Sequence, residues 1–444
     1  MVEGERSSIA GDLESREEIE DALVDGDRPF TDGSARAAFS HSNFRLVYLG
    51  SMASNVGTWM QNVVLGALAY SITGSGVAVG LIIFAQLGPL LILSPVGGML
   101  ADAVDRKKLL IILTIEQALG SFALALVAID QSPSMVALVG VTFLIGVGNA
   151  LYAPVFSAVL PVLVPRRDLP GAVALNSVQM NASRVVGPAI GSFIYAKWGP
   201  SWVFAINGVS YAAVIGVLLV ARLPRPPASG SQGLHRLLEG FRVARADRLV
   251  GQCLATIFIF SLLCLPFVTQ MPKIAGDHLD MVPKSTVYGL LYAAFGTGAV
   301  IGALSVGTVF TTASKARLTR IGLVLFAVLL TIFGALRSAA VAYPVVLALG
   351  TVYFLVVTSL STMLQQDLDD AVRGKVMALW IMGFGGTVPF GGLAGGWLIE
   401  QSSIEAVLAG GGLVAVALAA VFDYQREPRT ARAGGGQTAA TDTS

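Results

Sequence analysis

The sequence predicts an all-α membrane protein of twelve transmembrane helices, arranged as two six-helix bundles related by an internal repeat. Three observations lead there. Only 13% of the 444 residues are charged and 54% are hydrophobic, whereas soluble domains carry roughly 25% charged residues. The apolar residues fall in uninterrupted runs such as 77–101, 107–129, 134–160, 201–221, 321–336 and 404–422, and runs of about 20 match the hydrocarbon thickness of a bilayer. One long polar loop, 223–248, divides the apolar segments six and six.

The segments read as 43–71, 77–101, 107–129, 134–160, 171–196, 201–222, 249–273, 285–310, 319–337, 341–364, 374–400 and 404–423. An even number puts both ends on one face. If that face is cytoplasmic, the inner loops and helix-proximal tails hold 21 Lys or Arg, and the outer loops hold 4: Lys197, Lys273, Lys284 and Arg337. Basic residues are retained preferentially on the cytoplasmic side, so a multi-pass plasma (inner) membrane protein with cytoplasmic termini is expected. Residues 1–42 contain 11 acidic residues, 4 Arg and no apolar run. They are expected to be a disordered cytoplasmic tail, not a signal or transit peptide. The expected bundles are 43–222 and 249–423, joined by a linker with a basic interfacial helix over 223–248 and followed by a cytoplasmic tail, 424–444.

A shift of 204 residues aligns landmarks of the two halves. "GGML" at 97–100 falls on "IGAL" at 301–304, and "AVALN" at 172–176 on "VMALW" at 376–380. "GPAIGSFI" at 187–194 meets "GLAGGWLI" at 392–399 with one residue of slip; at the strict offset Gly187 meets Gly391 and Gly191 meets Gly395. Duplicated six-helix halves are a transporter architecture, with the site near the bilayer midplane between them.

Two motifs narrow this further. "GMLADAVDRKK" at 98–108 joins segments 2 and 3, and resembles the signature loop of the major facilitator superfamily in Gly98, Asp102, Arg106 and Lys107, departing from it at Ala103 and Asp105. The resemblance implies a cytoplasmic gate latched by charge pairing; topogenic anchoring by the basic residues is the plainer role. "SRVVGPAIGS" resembles the exporter motif of that superfamily's fifth helix: Gly187, Pro188 and Gly191 match, Ser192 replaces its last glycine and Ser183 an earlier one. Pro188 and the small residues permit a kink and close helix contact. Segment 11 mirrors this with "GFGGTVPFGGLAGG", 383–396, which holds seven glycines and Pro389. The stretches "NFRLVYLGSMASNVGTWMQ" and "FAQLGPLLILSPVGGMLAD" resemble the superfamily's branch of siderophore and drug exporters.

Arg184 lies about 20 Å into its segment, too deep to snorkel, so it faces protein or water. Glu116, roughly 13 Å deep in segment 3, is the nearest interior counter-charge. The two are candidates for coupling, as a pair or as structural glue. Asn55, Gln61, Gln86, Asn149 and Asn181 are candidate cavity-lining residues; the superfamily resemblance favours segments 1 and 4, while interhelical hydrogen bonding is the commoner role for any one of them.

Cys253 and Cys264 stand roughly 16 Å apart along one helix and cannot bridge each other. No His, Cys or carboxylate cluster has metal-ligand or catalytic spacing, and no GxxxxGK[ST] loop occurs, so neither cofactor, enzyme activity, nucleic-acid binding nor ATP drive is expected. The expected function is secondary-active export of a small amphipathic compound, a drug or siderophore, by a proton-coupled monomer. An importer of a small nutrient and a non-transporting receptor or assembly protein stay open.

Overall fold

The computed structural model describes residues 30–130, 132–221, 233–368 and 370–424, the side chains at 95, 98, 101–102, 158, 233–239, 367 and 370–371 excepted. The first bundle contains α1 (Ser42–Thr73), α2 (Gly76–Ala103), α3 (Arg106–Val127), α4 (Met135–Val159), α5 (Leu169–Trp198) and α6 (Pro200–Val220). The second contains α7 (Arg248–Ile259, continued by Phe260–Cys264, Pro266–Thr269 and Met271–Leu279), α8 (Thr286–Thr308), α9 (Lys315–Ala335) and α10 (Ala339–Asp367). It ends with α11 (Asp370–Ile381, continued by Met382–Gly386 and Val388–Gln401) and α12 (Ile404–Val421). Ten of these are long and apolar enough to cross a membrane. The remaining two, α1 and α5, run 32 and 30 residues and carry more polar side chains.

Helix starts follow capping chemistry. Ser75, Asp105, Ser134, Asp247, Ser285, Ser314 and Ser403 each accept a hydrogen bond from the backbone N–H three residues on, satisfying a donor that the helix leaves free. Ends are capped by cations: Lys107 Nζ donates to Leu219 and Ala221 carbonyls at 2.9 Å, and Arg320 Nε donates to the Ala419 carbonyl at 3.2 Å. Thus α3 seals α6 and α9 seals α12, the same arrangement in each half.

The tail expected to be disordered is folded from residue 30 onward. Ser34 caps a short helix, Ala35–Ser40, and His41 Nε2 donates to buried Asp168 Oδ2 at 2.8 Å. Gly33 N–H donates to the other Asp168 oxygen at 3.3 Å. This corrects the disordered reading for 30–42; residues 1–29 and 425–444 lie outside the described residues. Helix Gly233–Ala246 is present in the linker and rests on α11, with Gly240 close against the Lys375 carbonyl.

Within the halves, α1 packs on α5 and α6, and α8 and α9 pack on α10; across the halves, α5 meets α8 and α2 meets α11. The small residues of α5 serve both contacts at once. A methyl on Gly191 would lie 2.8 Å from Met60 Cα, and one on Gly187 would lie 2.9 Å from the Val56 carbonyl, both on α1. One residue on, Pro188 and Ser192 face α8, where a methyl on Gly289 would lie 2.6 Å from the Pro188 carbonyl. Helix α11 repeats this 204 residues later. Gly391 and Gly395 meet Leu262 and Pro266 of α7, while Gly392 and Gly396 meet Gly80 and Gly76 of α2. The strict offset is therefore the structural equivalence, without the one-residue slip.

Pro188 leaves α5 continuous rather than broken. Lacking an N–H, it frees the Arg184 carbonyl, and Gly296 of α8 comes against that oxygen, where a methyl would lie 2.9 Å away. In α11 the glycine run instead opens into a π-helical turn, Met382–Gly386, ahead of Pro389; Thr387 Oγ1 donates back to the Gly383 carbonyl at 2.7 Å. A similar turn interrupts α7 at Phe260–Cys264.

Gly187→Val should lower unfolding stability in detergent by about 1–3 kcal/mol, because the contacting atoms, Trp59 Cβ and the Val56 and Met60 backbone, are fixed to the α1 backbone and cannot yield. Gly216→Ala, at an α6 glycine with nothing within 4 Å, should be neutral or raise stability by up to about 1 kcal/mol. Parallel thermal unfolding of the two variants checks this.

Candidate transport pathway

A cavity of about 210 Å³ opens within the first bundle. Ser51, Ser54, Asn55 and Thr58 of α1 line it with Thr114 and Gln117 of α3, Asn149, Tyr152, Phe156 and Ser157 of α4, Asn176 and Met180 of α5, and Tyr211 of α6. Most of these residues lie in the halves of their helices nearer the face on which α1 begins and α12 ends. Hydroxyls and amides alternate with aromatic and aliphatic surface, a lining suited to an amphipathic molecule.

Of the residues singled out in the sequence, Asn55 and Asn149 line this cavity. Gln61 does not. It is buried, and its Oε1 accepts from Ser121 Oγ and Asn207 Nδ2, each at 3.0 Å, binding α1, α3 and α6 together. Gln86 donates to Asn62 and ties α2 to α1. Asn181 Nδ2 donates to the Ser177 carbonyl of its own helix at 2.9 Å. Sequence reasoning passed over Thr58, Thr114, Gln117, Tyr152 and Tyr211, since each fits equally well in a helix core.

Arg184 stands one helical turn beyond Met180, and Trp59 one turn beyond Asn55. The Arg184 guanidinium carbon lies 5.4 Å from the Trp59 ring of α1 and 5.4 Å from the Phe354 ring of α10. Its buried Nε has no hydrogen-bond partner. A desolvated cation–π contact contributes about 2 kcal/mol, against several kcal/mol for desolvating the charge. Glu116 is elsewhere: it presses on Gly148 of α4, and its Oε2 is buried without a hydrogen-bond partner. The structure does not bring the two charges into an ion pair; each faces a different neighbour.

The opposite end, on which α1 ends and α12 begins, is closed by contacts between the halves. Buried Gln270 donates through Nε2 to the Gly76 carbonyl at 3.0 Å and the Gly392 carbonyl at 2.8 Å, joining α7, α2 and α11. Glu400 Oε1 accepts from Ser75 Oγ at 2.5 Å and from Val77 N–H at 3.2 Å, placing a carboxylate at the positive end of α2. Lys273 Nζ donates to the Gly74 carbonyl at 3.2 Å and pairs with Asp277 at 2.9 Å, and Tyr70 donates to the same carboxylate. On the face where α1 begins, the surroundings of Gly98 and the side chain of Asp102 lie outside the described residues. Of the loop motif, Lys107 caps α6, and Asp105, where the sequence departs from the family pattern, caps α3 through the Lys108 N–H at 3.1 Å.

The sequence profile of a major facilitator family described as transmembrane secretion effector matches residues 33–434. The chain belongs to this family. Among its curated relatives are the enterobactin exporters EntS of Shigella boydii serotype 18 and Escherichia coli O139:H28, each 28% identical over 350 residues, 77% of this chain and 81% of the relative. The fold resembles that of an auto-inhibited POT family peptide transporter, with TM-score 0.70 and 14% identity over 88% of this chain and 98% of that one. It also resembles the nucleoside transporter NupG, with TM-score 0.64 and 15% identity over 86% and 98%. This member of the secretion effector family is a multi-pass membrane protein and a secondary transporter of a small molecule, not an enzyme.

Gln61→Leu should lower thermal stability by about 0.5–2 kcal/mol, the range of interhelical hydrogen bonds in membranes, whereas Asn149→Leu should change transport and leave the melting curve in place. Glu400→Gln should weaken the closed end by about 0.3–1 kcal/mol. A cysteine at Thr73 would then react roughly two- to fivefold faster with an impermeant maleimide, read from labelling rates.

Proposed function

We propose that this chain exports a small amphipathic compound, such as a drug or siderophore, by proton-coupled alternating access, as a monomer with both termini in the cytoplasm. The observation that carries the reading is the polar-lined cavity toward the termini beneath an end sealed by Gln270, Glu400 and Lys273. With cytoplasmic termini this is an inward-facing state, ready to load from inside. The charge ratio of 21 basic residues to 4 supports that orientation. Family membership and the exporter names of the relatives support the outward direction.

The seams supply the motion. Contacts of small residues along α5–α8 and α2–α11 let two rigid bundles slide with little side-chain repacking, and alternating access is such a rocking of one half on the other. Glu116 is the group for the proton. A carboxylate with an unpartnered buried oxygen is costly when charged in a low-dielectric interior, so exposure to alternate faces changes its proton affinity. Asp102 is retained as the acidic partner of the gate on the face of the termini.

Accumulation of a compound panel in cells with and without the gene, each with and without an uncoupler, tests the function. Lower accumulation with the gene, abolished by uncoupling, is the expected result. Glu116→Gln should end uphill export and leave downhill exchange. Tags in 223–248 and after 424 should be reached only from the cytoplasm, and one at 277–284 only from outside.

A further inference from the structure

Arg184 is a charge at the junction of the halves with no counter-charge among the described residues. Its guanidinium is held between Trp59 of the first bundle and Phe354 of the second, and its Nε is buried with no acceptor. The Tyr353 hydroxyl is buried beside Ser261 and lies within electrostatic range of the guanidinium, adding no counter-charge. Glu116, the obvious acceptor, is turned to Gly148. The Arg184 Nε–H therefore stands buried with nothing placed to accept from it, an arrangement that structures avoid unless a ligand or water completes it.

The position connects with the cavity. Asn176, Met180 and Arg184 recur every four residues along one face of α5, and Asn55 and Trp59 do so on α1; the first two of α5 and Asn55 line the cavity. Arg184 and Trp59 stand one helical turn beyond the lining residues Met180 and Asn55, so a molecule that extends one turn past the cavity reaches the guanidinium and its two flanking rings. An apolar body suits the rings, and only an anionic or strongly accepting group suits the donors.

We infer that Arg184, flanked by Trp59 and Phe354, is the anion subsite of the transport cavity, and that the exported compound is an amphipathic anion carrying a carboxylate or an acidic hydroxyl on an apolar body. This deepens the export reading and rests on it. The anion would touch residues of both bundles, so its arrival and departure would bias their relative position, which a substrate confined to the first bundle could not do.

The test uses the full chain in nanodiscs of uncharged lipid near neutral pH, with three probes sharing one ring: 1-naphthylacetate, 1-naphthylacetamide and 1-naphthylethylamine, bound at equilibrium by dialysis. The carboxylate should bind about tenfold or more tighter than the amide, the range of one charge-assisted hydrogen bond, and the amine more weakly still. Arg184→Gln should erase the difference by weakening the carboxylate alone. Arg184→Lys, which keeps the charge but loses the planar fork, should retain a reduced preference, down roughly threefold, and serves if the Gln variant does not fold. Equal binding of carboxylate and amide by the native chain, or a preference untouched by both substitutions, overturns the anion subsite and leaves export of neutral compounds standing. Binding of none of the three probes overturns the cavity reading along with it.

Discussion

Close approach of backbones at α5 and α11 is the constraint on which the rest depends. In a bilayer, helices gain nothing from leaving an apolar solvent, so association relies on van der Waals fit and on polar contacts. Each of these two helices must fit a neighbour in its own half and a neighbour in the other. Gly187 and Gly191 accept α1 while Pro188 and Ser192 accept α8, and Gly391, Gly395, Gly392 and Gly396 do the same for α7 and α2. Any larger side chain would separate a pair of backbones, and with it either the bundle or the seam. The cavity and the closed end are both positioned by these four crossings.

Polar side chains are sorted by the same medium. Those with partners hold the bundles together, as Gln61, Ser121 and Asn207 do at one depth and Gln270 at another. Two charged groups each keep a buried atom without a partner, Glu116 Oε2 and Arg184 Nε. In water such vacancies would be filled by solvent at no cost; in the interior of a membrane protein they are expensive, so they persist where a proton or a ligand completes them.

The repeat gives the two halves equal packing and unequal chemistry. Lys107 of α3 and Arg320 of α9 cap the equivalent ends of α6 and α12, and the small residues of α5 and α11 correspond at a strict offset. The cavity with its amides and hydroxyls belongs to the first half, whereas the second half fills its interior with rings, Phe260, Phe267, Phe326 and Tyr353 among them. The first bundle is thus the more polar one and the second the more ring-packed, with Phe354 reaching across to Arg184.

The sequence by itself determined the membrane class, the helical spans, the division into halves, the family and the two motifs, because apolar run length, loop charge and glycine spacing are properties of the chain and need no neighbours. It also singled out Arg184 and Glu116, since depth follows from helical rise alone. Only the tertiary structure decided that these two charges look different ways, that Gln61 is a tie between helices while Asn149 lines the cavity, and that residues 30–42 fold against Asp168. The physical reason is rotational. Helical period fixes which residues share a face, but in a chain surrounded by lipid nearly every face is apolar, so periodicity does not tell which face meets which neighbour. That choice is made by backbone-to-backbone fit at the glycines, and it places Trp59 and Phe354, far apart in sequence, on either side of one arginine.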